Sequence, residues 1–399
     1  MSKERLNLLT LQEAIDLLGV SRATIDRWRK EKQLPYIKIG KEIWVDPEQL
    51  HAWVHLHALG NGAERRSVRK AARKTVTVGY QSGAALLWST LIIKQLGLFE
   101  QELEKTSPSA DYEVRWTNAS NGMELVEELI AGRVQIVSVG DYPIVAGRGL
   151  GQLLPRFRPL VLAFDGKTSG GGGISLVVPA GGRVRKPEEL AEVAISTVGH
   201  SSASYRLGQY MGAFGFDSAP VVHRRMGDCL SGLMEGSAGA AVLWEPYLSW
   251  AQLLGAGSPI GSEGVGGDYL TGLMTDGNWA DGNEDTVIAY LKAHLRAHAF
   301  IRRQPEQAAV LIHQASGFPV SVVSRVLPQI RWDASIYGRD LQTLSRVGGG
   351  QYGEPNGDGG AGGAPVFQKR YLQEAVEALR LPLLPDAPLP GEWSREHVY

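Results

Sequence analysis

Ser21, Arg22, Thr24, Arg27 and Lys30 recur within the stretch SRATIDRWRK. Guanidinium, ammonium and hydroxyl groups on one short segment can anchor phosphates and read base edges in a major groove. Lys38 and Lys41 flank a glycine in YIKIGKEIW and suit a phosphate or minor-groove contact. A second set of polar residues lies in the body of the chain. Gln81, Ser82 and Gly83 follow one apolar run, and Asn118 and Asn121 follow another. His200, Ser201 and Ser202 stand in a Gly-His-Ser-Ser-Ala loop that can turn N–H groups and hydroxyls toward an anionic or carbonyl oxygen. His200 is either a contact or a structural histidine. Asp141 and Glu245 sit near strand ends, where each either holds a cationic group or caps a helix and braces Tyr142 or Trp244. Trp88, Tyr142, Trp244 and Tyr247 wall a pocket or belong to the core.

Elements must position these groups. Thr10 and Glu13 have capping-box spacing ahead of Ala14, Ile15, Leu17 and Leu18, a predicted buried helical stripe that Gly19 ends. Ser21 caps a second helix, on which Trp28 falls at a packing position. Tyr36–Ile39 and Ile43–Val45 read as two short strands with a basic tip, and Asp46-Pro47 opens a third helix. Beyond Thr75, apolar strands alternate with helices: 75–80, 85–96, 112–116, 123–131, 134–139, 159–164, 174–179, 193–198 and 240–243. This pattern predicts an α/β body with parallel sheets and ligand loops at strand C-termini. Two amphipathic helices are expected over 283–304 and 305–315.

The chain has 399 residues, too many for one ordinary domain, and 43% are hydrophobic. Its net charge of −1 hides an asymmetry: residues 1–74 hold 15 Lys and Arg against 9 Asp and Glu, and the remainder is acidic. A basic end on an acidic body places a nucleic-acid contact at that end. The single cysteine, Cys229, excludes an internal disulfide. No apolar run approaches the ~20 residues of a membrane span, and the N-terminal residues lack a secretory signal pattern. A cytoplasmic location without membrane contact is therefore expected. His51, His55 and His57 lie close together but without a cysteine or acidic cluster, so neither a metal nor another cofactor is expected. Cys229 falls on a predicted helix away from the strand-end loops, and no nucleophile–base spacing is present, so no catalytic residue is assigned.

Residues LTLQEAIDLLGVSRATIDRWRKEKQLPYIKIGKEIWVDPEQLHAWV resemble the excisionase-type, MerR-like winged helix-turn-helix domain. VTVGYQSGAALLWSTLIIKQLGLFE, ASNGMELVEELIAGRVQIVSVGDYPIV, VAISTVGHSSASYRL, AAVLWEPYLSWA and DTVIAYLKAHLRAHAFIRRQPEQAAVLI resemble, in order, the type II periplasmic-binding-protein fold. The similar branch comprises substrate-binding proteins of nitrate, sulfonate, taurine and thiamine-precursor ABC transporters. The family usually carries aspartate where Gln135 and Gly239 stand. The resemblance implies a winged helix-turn-helix over 1–57, a linker over 58–74 that is either a plain hinge or a phosphate contact, and a two-lobed body over 75–346. Lobe I would span about 75–168 and 256–346, and lobe II about 174–255. A Gly-rich segment, 347–365, and a C-terminal helix and tail, 366–399, follow.

The expected function is a cytoplasmic transcriptional regulator. It would bind double-stranded DNA through Ser21, Arg22, Thr24, Arg27, Lys30, Lys38 and Lys41, as a homodimer or higher oligomer. A small, sulfonate- or carboxylate-like effector would meet Gln81, Ser82, Gly83, Asn118, Asn121, Asp141, Tyr142, His200, Ser201, Ser202, Trp244 and Glu245. The alternatives are a solute-binding protein of an ABC importer with an added domain, and an enzyme on the same fold.

Overall fold

The computed structural model describes residues 8–18, 20–31, 34–39, 42–47, 49–50, 53, 73–107, 110–216, 218–261, 265–349, 367–396 and 399. It divides into two compact units, Met1–Lys70 and Ala71–Tyr399.

In the first unit, β1 (Leu9–Thr10) runs into α1 (Leu11–Leu18). The capping box forms: the Thr10 N–H donates to Glu13 Oε2 at 2.7 Å, and the Glu13 N–H returns to Thr10 Oγ1 at 3.2 Å. α2 (Arg22–Glu31) follows, then β2 (Ile37–Ile39) and β3 (Glu42–Val45). The three strands form one antiparallel sheet in the order β1-β3-β2, so the expected two-stranded wing gains a third strand. Helical backbone returns at Pro47, Gln49, Leu50 and Trp53. Ala14, Ile15, Ile25, Leu34, Val45 and Leu50 form the core, and Trp28 packs on Trp53 with ring centroids 5.3 Å apart. Leu17, expected in the buried stripe, is 67% exposed. The helix is short enough that Ala14 and Ile15 alone are buried. Gly19, Gly40, Lys41, His51, His55 and His57 lie outside the described residues, as do 54–72 and 350–366, which take in most of the expected linker and Gly-rich segment.

The second unit begins with β4 (Lys74–Tyr80), α3 (Ser89–Gln95), α4 (Leu98–Thr106), β5 (Tyr112–Asn118), α5 (Gly122–Ile130), β6 (Ile136–Gly140), α6 (Asp141–Leu153) and β7 (Pro159–Thr168). The chain then crosses to β8 (Ile174–Pro179), β9 (Ile195–Thr197), α7 (Ser202–Phe214), β10 (Val221–His223), α8 (Met226–Met234), β11 (Ala240–Trp244), α9 (Tyr247–Leu253) and β12 (Gly257–Pro259). It returns as β13 (Tyr269–Asp276), α10 (Glu284–Arg303), α11 (Pro305–Ser316), β14 (Arg331–Trp332), α12 (Gly338–Val347) and α13 (Lys369–Ala378).

Two sheets result, ordered β14-β7-β13-β6-β4-β5 and β10-β9-β11-β8-β12. They are mixed rather than parallel. Strands joined through helices pair in parallel, as β4 does with β5 and β6. Strands flanking the crossovers arrive from the other lobe and pair antiparallel, as β13 does with β6 and β7 and β8 with β11. β12 stays in the second sheet, so the return to lobe I follows Pro259 rather than residue 256. β7 runs to Thr168 instead of ending at 164, because Asp165 and Lys167 find buried partners: Ser89 and Ser138 on Asp165, Asp340 on Lys167.

The two departures from the family pattern are structural. The Gln135 side-chain Oε1 accepts from the Thr77 N–H, and its Nε2 donates to Gly132 O. A Cβ on Gly239 would stand 2.4 Å from Val193 Cβ, leaving no room for an aspartate. No helix among the described residues is long and apolar enough to cross a membrane.

Candidate functional site

On the first unit, Arg22 and Arg27 are exposed on α2 and Lys38 on β2, and none forms an ion pair among the described residues. Ser21 and Thr24 are less available. Ser21 Oγ accepts from the Thr24 N–H at 3.2 Å and lies 2.8 Å from Thr24 Oγ1, so the two hydroxyls cap α2. Arg29 is held by Asp26 and lies over the Tyr36 ring. The Lys30 side chain lies outside the described residues.

Between the two sheets of the second unit lies a cleft of about 580 Å³. The loop after β4 brings Gln81, Ser82 and Gly83 to it; the end of β5 brings Asn118, with Ala119, Ser120 and Glu124 beyond. Lobe II contributes Arg225 to Asp228 at the start of α8, together with Trp244 and Tyr247, and Ser316 and Phe318 close one end. Asn118 fixes the loop: its Oδ1 accepts from the Ser82 N–H at 2.9 Å and its Nδ2 donates to Ser82 Oγ. Trp244 Nε1 donates to Gly83 O at 2.8 Å, a hydrogen bond from one lobe to the other.

Five of the twelve expected ligand contacts thus meet here: Gln81, Ser82, Gly83, Asn118 and Trp244. The other seven are placed elsewhere. Asn121 caps α5, its Oδ1 accepting from the Glu124 N–H. Tyr142 is half-buried outside the cleft lining, its N–H on Asp141 Oδ1. His200 is exposed outside that lining, with φ 48°. Glu245 is buried and accepts from the Ser249 N–H and Oγ; burial pushes its carboxyl pKa up, and the Ser249 bonds only partly offset this.

The expected anion seat at the start of α7 is occupied from within. Ser201 caps its own helix. Ser202 Oγ donates to Asp141 Oδ1 at 2.6 Å, and Arg206 Nη2 donates to Asp141 Oδ2 at 2.8 Å. Burial works against the Arg206 charge, but the Asp141 carboxylate outweighs it and raises the guanidinium pKa. The space left around Gln81, Gly122, Gly140, Ser201, Ser202 and Trp244 is about 10 Å³. The lobes meet so closely there that a Cβ on Gly140 would stand 2.7 Å from Ser202 Oγ.

Asp165, His294 and His298 are also gathered, fully buried, with ligand-type atoms all within 4.8 Å of one another. His298 Nε2 lies 2.9 Å from Asp165 Oδ1, and His294 Nε2 lies 2.9 Å from Phe164 O. Burial pushes His294 down to about 4 and His298 to about 3, and it raises Asp165. The two histidines therefore stay neutral at neutral pH, in a hydrogen-bonded core network whose donor set also suits a transition metal. The Cys229 thiol is buried and pushed up to about 12, the opposite of an activated nucleophile.

The cleft residues that sequence reasoning missed are Glu124, Arg225 to Asp228, Ser316 and Phe318. Arg225 and Asp228 follow β10, a three-residue strand too short to show alternation, so the start of α8 carried no strand-end signal.

A helix-turn-helix domain model matches residues 8–55. Residues 8–55 are a helix-turn-helix domain. A protein of Bacillus subtilis (strain 168) named for binding aliphatic sulfonates is 25% identical over 270 residues, which cover 67% of this chain and 77% of that one. The solved alkanesulfonate-binding protein of Xanthomonas axonopodis pv. citri, bound to MOPS, superposes with a TM-score of 0.57 at 19% identity, over 69% of this chain and 92% of that one. The periplasmic nitrate-binding protein of Synechocystis PCC 6803 gives a TM-score of 0.56 at 11% identity, over 80% and 92%. The described residues of the second unit have a periplasmic-binding-protein-like fold.

Proposed function

We propose that this protein is a cytoplasmic regulator of transcription that binds DNA through its helix-turn-helix domain and senses a small molecule in the interlobe cleft. One observation carries the reading: a single chain joins a helix-turn-helix domain to a two-lobed body with a cleft of about 580 Å³. The exposed Arg22, Arg27 and Lys38 support DNA contact. The sulfonate-binding relatives support a small acidic effector. Closure of the lobes on the effector would alter how DNA modules are presented. One module of this size binds weakly, so the working form is a homodimer or higher oligomer on half-sites about 34 Å apart. The buried, high-pKa Cys229 supports a non-enzymatic role.

The test is fluorescence anisotropy of the full chain with DNA from upstream of its own gene, titrated with sulfonates and carboxylates. Salt-dependent binding that an effector strengthens or weakens is expected. No binding at low salt, with or without effector, would sink the proposal. The likeness to binding proteins over two-thirds of the chain favours a second reading, a transport-associated solute receptor; recovery of the native protein outside the cytoplasm would select it.

A further inference from the structure

α10 carries His294 and His298 four positions apart in KAHLRAHAF, so both imidazoles leave the same face of the helix. β7 brings Asp165 to them, 133 positions before His298. All three residues are 0% exposed. Each offers one ligand-type atom, and the three atoms lie within 4.8 Å of one another. His298 Nε2 and Asp165 Oδ1 are 2.9 Å apart. The other carboxylate oxygen, Oδ2, accepts from Ser89 Oγ at 2.8 Å and Ser138 Oγ at 3.1 Å, which fixes the orientation of the carboxyl group. His294 Nε2 lies 2.9 Å from Phe164 O. A carbonyl oxygen only accepts, so the ring proton of His294 is on Nε2, and Nδ1 keeps a bare lone pair. That Nδ1 is buried and has no hydrogen-bond partner among the described residues. Donating one ring N–H to a backbone carbonyl while the other nitrogen stays bare is how a metal-ligating histidine is held in its tautomer.

We propose that Asp165, His294 and His298 bind a divalent transition-metal ion, zinc, and that the ion clamps α10 to β7. A polar network built for packing alone would pair the bare nitrogen of His294, because a buried acceptor without a donor keeps the whole cost of leaving water. Two imidazole nitrogens with a carboxylate oxygen select zinc and its neighbours over magnesium and calcium, which take oxygen ligands. Zinc bonds of about 2.0–2.1 Å in a tetrahedron place ligand atoms about 3.4 Å apart. His298 Nε2 and Asp165 Oδ1 already stand near that separation, and the ion takes the place of the proton between them. The third ligand atom moves inward by no more than about 1.4 Å. With all three side chains closed to solvent the site is structural, since a catalytic zinc keeps a position open to substrate. The site lies within lobe I, among residues that do not line the cleft, and does not depend on the regulatory reading.

The experiment uses the full chain, produced in minimal medium with zinc or cobalt(II) added, so that a core site fills as the chain folds, and in metal-depleted medium. About one metal ion per chain should survive gel filtration, and the cobalt form should show visible d–d absorption. Zinc at about a hundred times its dissociation constant should raise the melting temperature by about 5 °C over the metal-depleted chain. His294→Gln and Asp165→Asn should each lose the cobalt absorption and the zinc-dependent shift. The double variant His51→Ala/His55→Ala, which removes the other closely spaced histidines, should keep both. The proposal is overturned if no metal survives, if the Asp165 and His294 variants retain it, or if the His51/His55 variant loses it. Should a core variant not fold, zinc-edge X-ray absorption of the His51→Ala/His55→Ala chain decides. Imidazole and oxygen scatterers at about 2.0–2.1 Å support the site, whereas a spectrum without imidazole, or with sulfur from Cys229, overturns it.

Discussion

Asp141→Asn is the most informative single substitution. The Asp141 and Arg206 side chains are 0% and 1% exposed, with 2.8 Å between the nearest atoms, and they join the start of α6 in lobe I to α7 in lobe II. Asparagine keeps the shape and can still accept from the Ser202 hydroxyl and the Tyr142 N–H. What is lost is the charge facing a buried guanidinium. Two unit charges about 4 Å apart at an effective dielectric constant of about 20 interact by about 4 kcal/mol. Removing one partner of a buried pair costs about 3–5 kcal/mol. Arg206 retains the Asp268 and Ser202 carbonyl oxygens, at 2.6 and 3.3 Å, so the lower end is expected. At about 2 °C per kcal/mol for a domain of this size, melting should fall by about 6 °C. Urea titrations of D141N, Arg206→Met and the double variant complete the cycle. If the stranded charge causes the loss, the double variant is more stable than D141N. A drop below about 2 °C, or a double variant as destabilised as the sum of the singles, would refute the argument.

Three further outcomes are expected. Arg22→Ala and Arg27→Ala should weaken DNA binding on all sequences and each reduce the salt slope by about one, read by anisotropy between low and physiological salt; an unchanged slope would remove that residue from the phosphate interface. Gly140→Ala would bring its Cβ within 2.7 Å of Ser202 Oγ, so it should hold the lobes apart and raise the effector's dissociation constant about tenfold or more with little loss of secondary structure; unaltered affinity would show that the lobes need not meet there. The third concerns acid. His294 and His298 titrate near 4 and 3 in the fold, below their unfolded value of about 6.5, so the stability they contribute is present above about pH 6.5 and is lost as pH falls toward 4. Asp165, raised by burial, holds its proton more readily in the native than in the unfolded state and so works against the two histidines. A net slope of about 1.4 kcal/mol per pH unit is expected in denaturation experiments, and His294→Gln should flatten it; a flat wild-type profile from pH 6.5 to 4 would count against a neutral buried network.

Local signals carried the architecture. The Thr10–Glu13 box, the helices over 284–303 and 305–316, and the strand 174–179 stand where apolar periodicity and capping residues place them. Signals that needed a partner failed. β10, β12 and β14 have two or three residues each and exist only because neighbours accept their hydrogen bonds. β13 was missed because its eight-residue YLTGLMTD is buried almost throughout, without the polar alternation that marks a half-exposed strand. β7 was cut short because a charged Asp-Gly-Lys reads as a turn until Lys167 is seen paired with Asp340, 173 positions later.

The binding loops show the same limit. Gln81 to Gly83 and Asn118 were legible because they follow strands and meet across one sheet edge. The Ser201–Ser202 helix start was equally legible as a place for an anion, and the structure puts an anion there: the carboxylate of Asp141, held by Ser202 and Arg206. A helix N-terminus attracts negative charge whatever its source, and sequence spacing cannot distinguish a ligand from a residue 61 positions away. That seat is filled and nearly without volume, so the open space between the lobes lies outward, in the cleft lined by Ser82, Asn118, Trp244 and Tyr247.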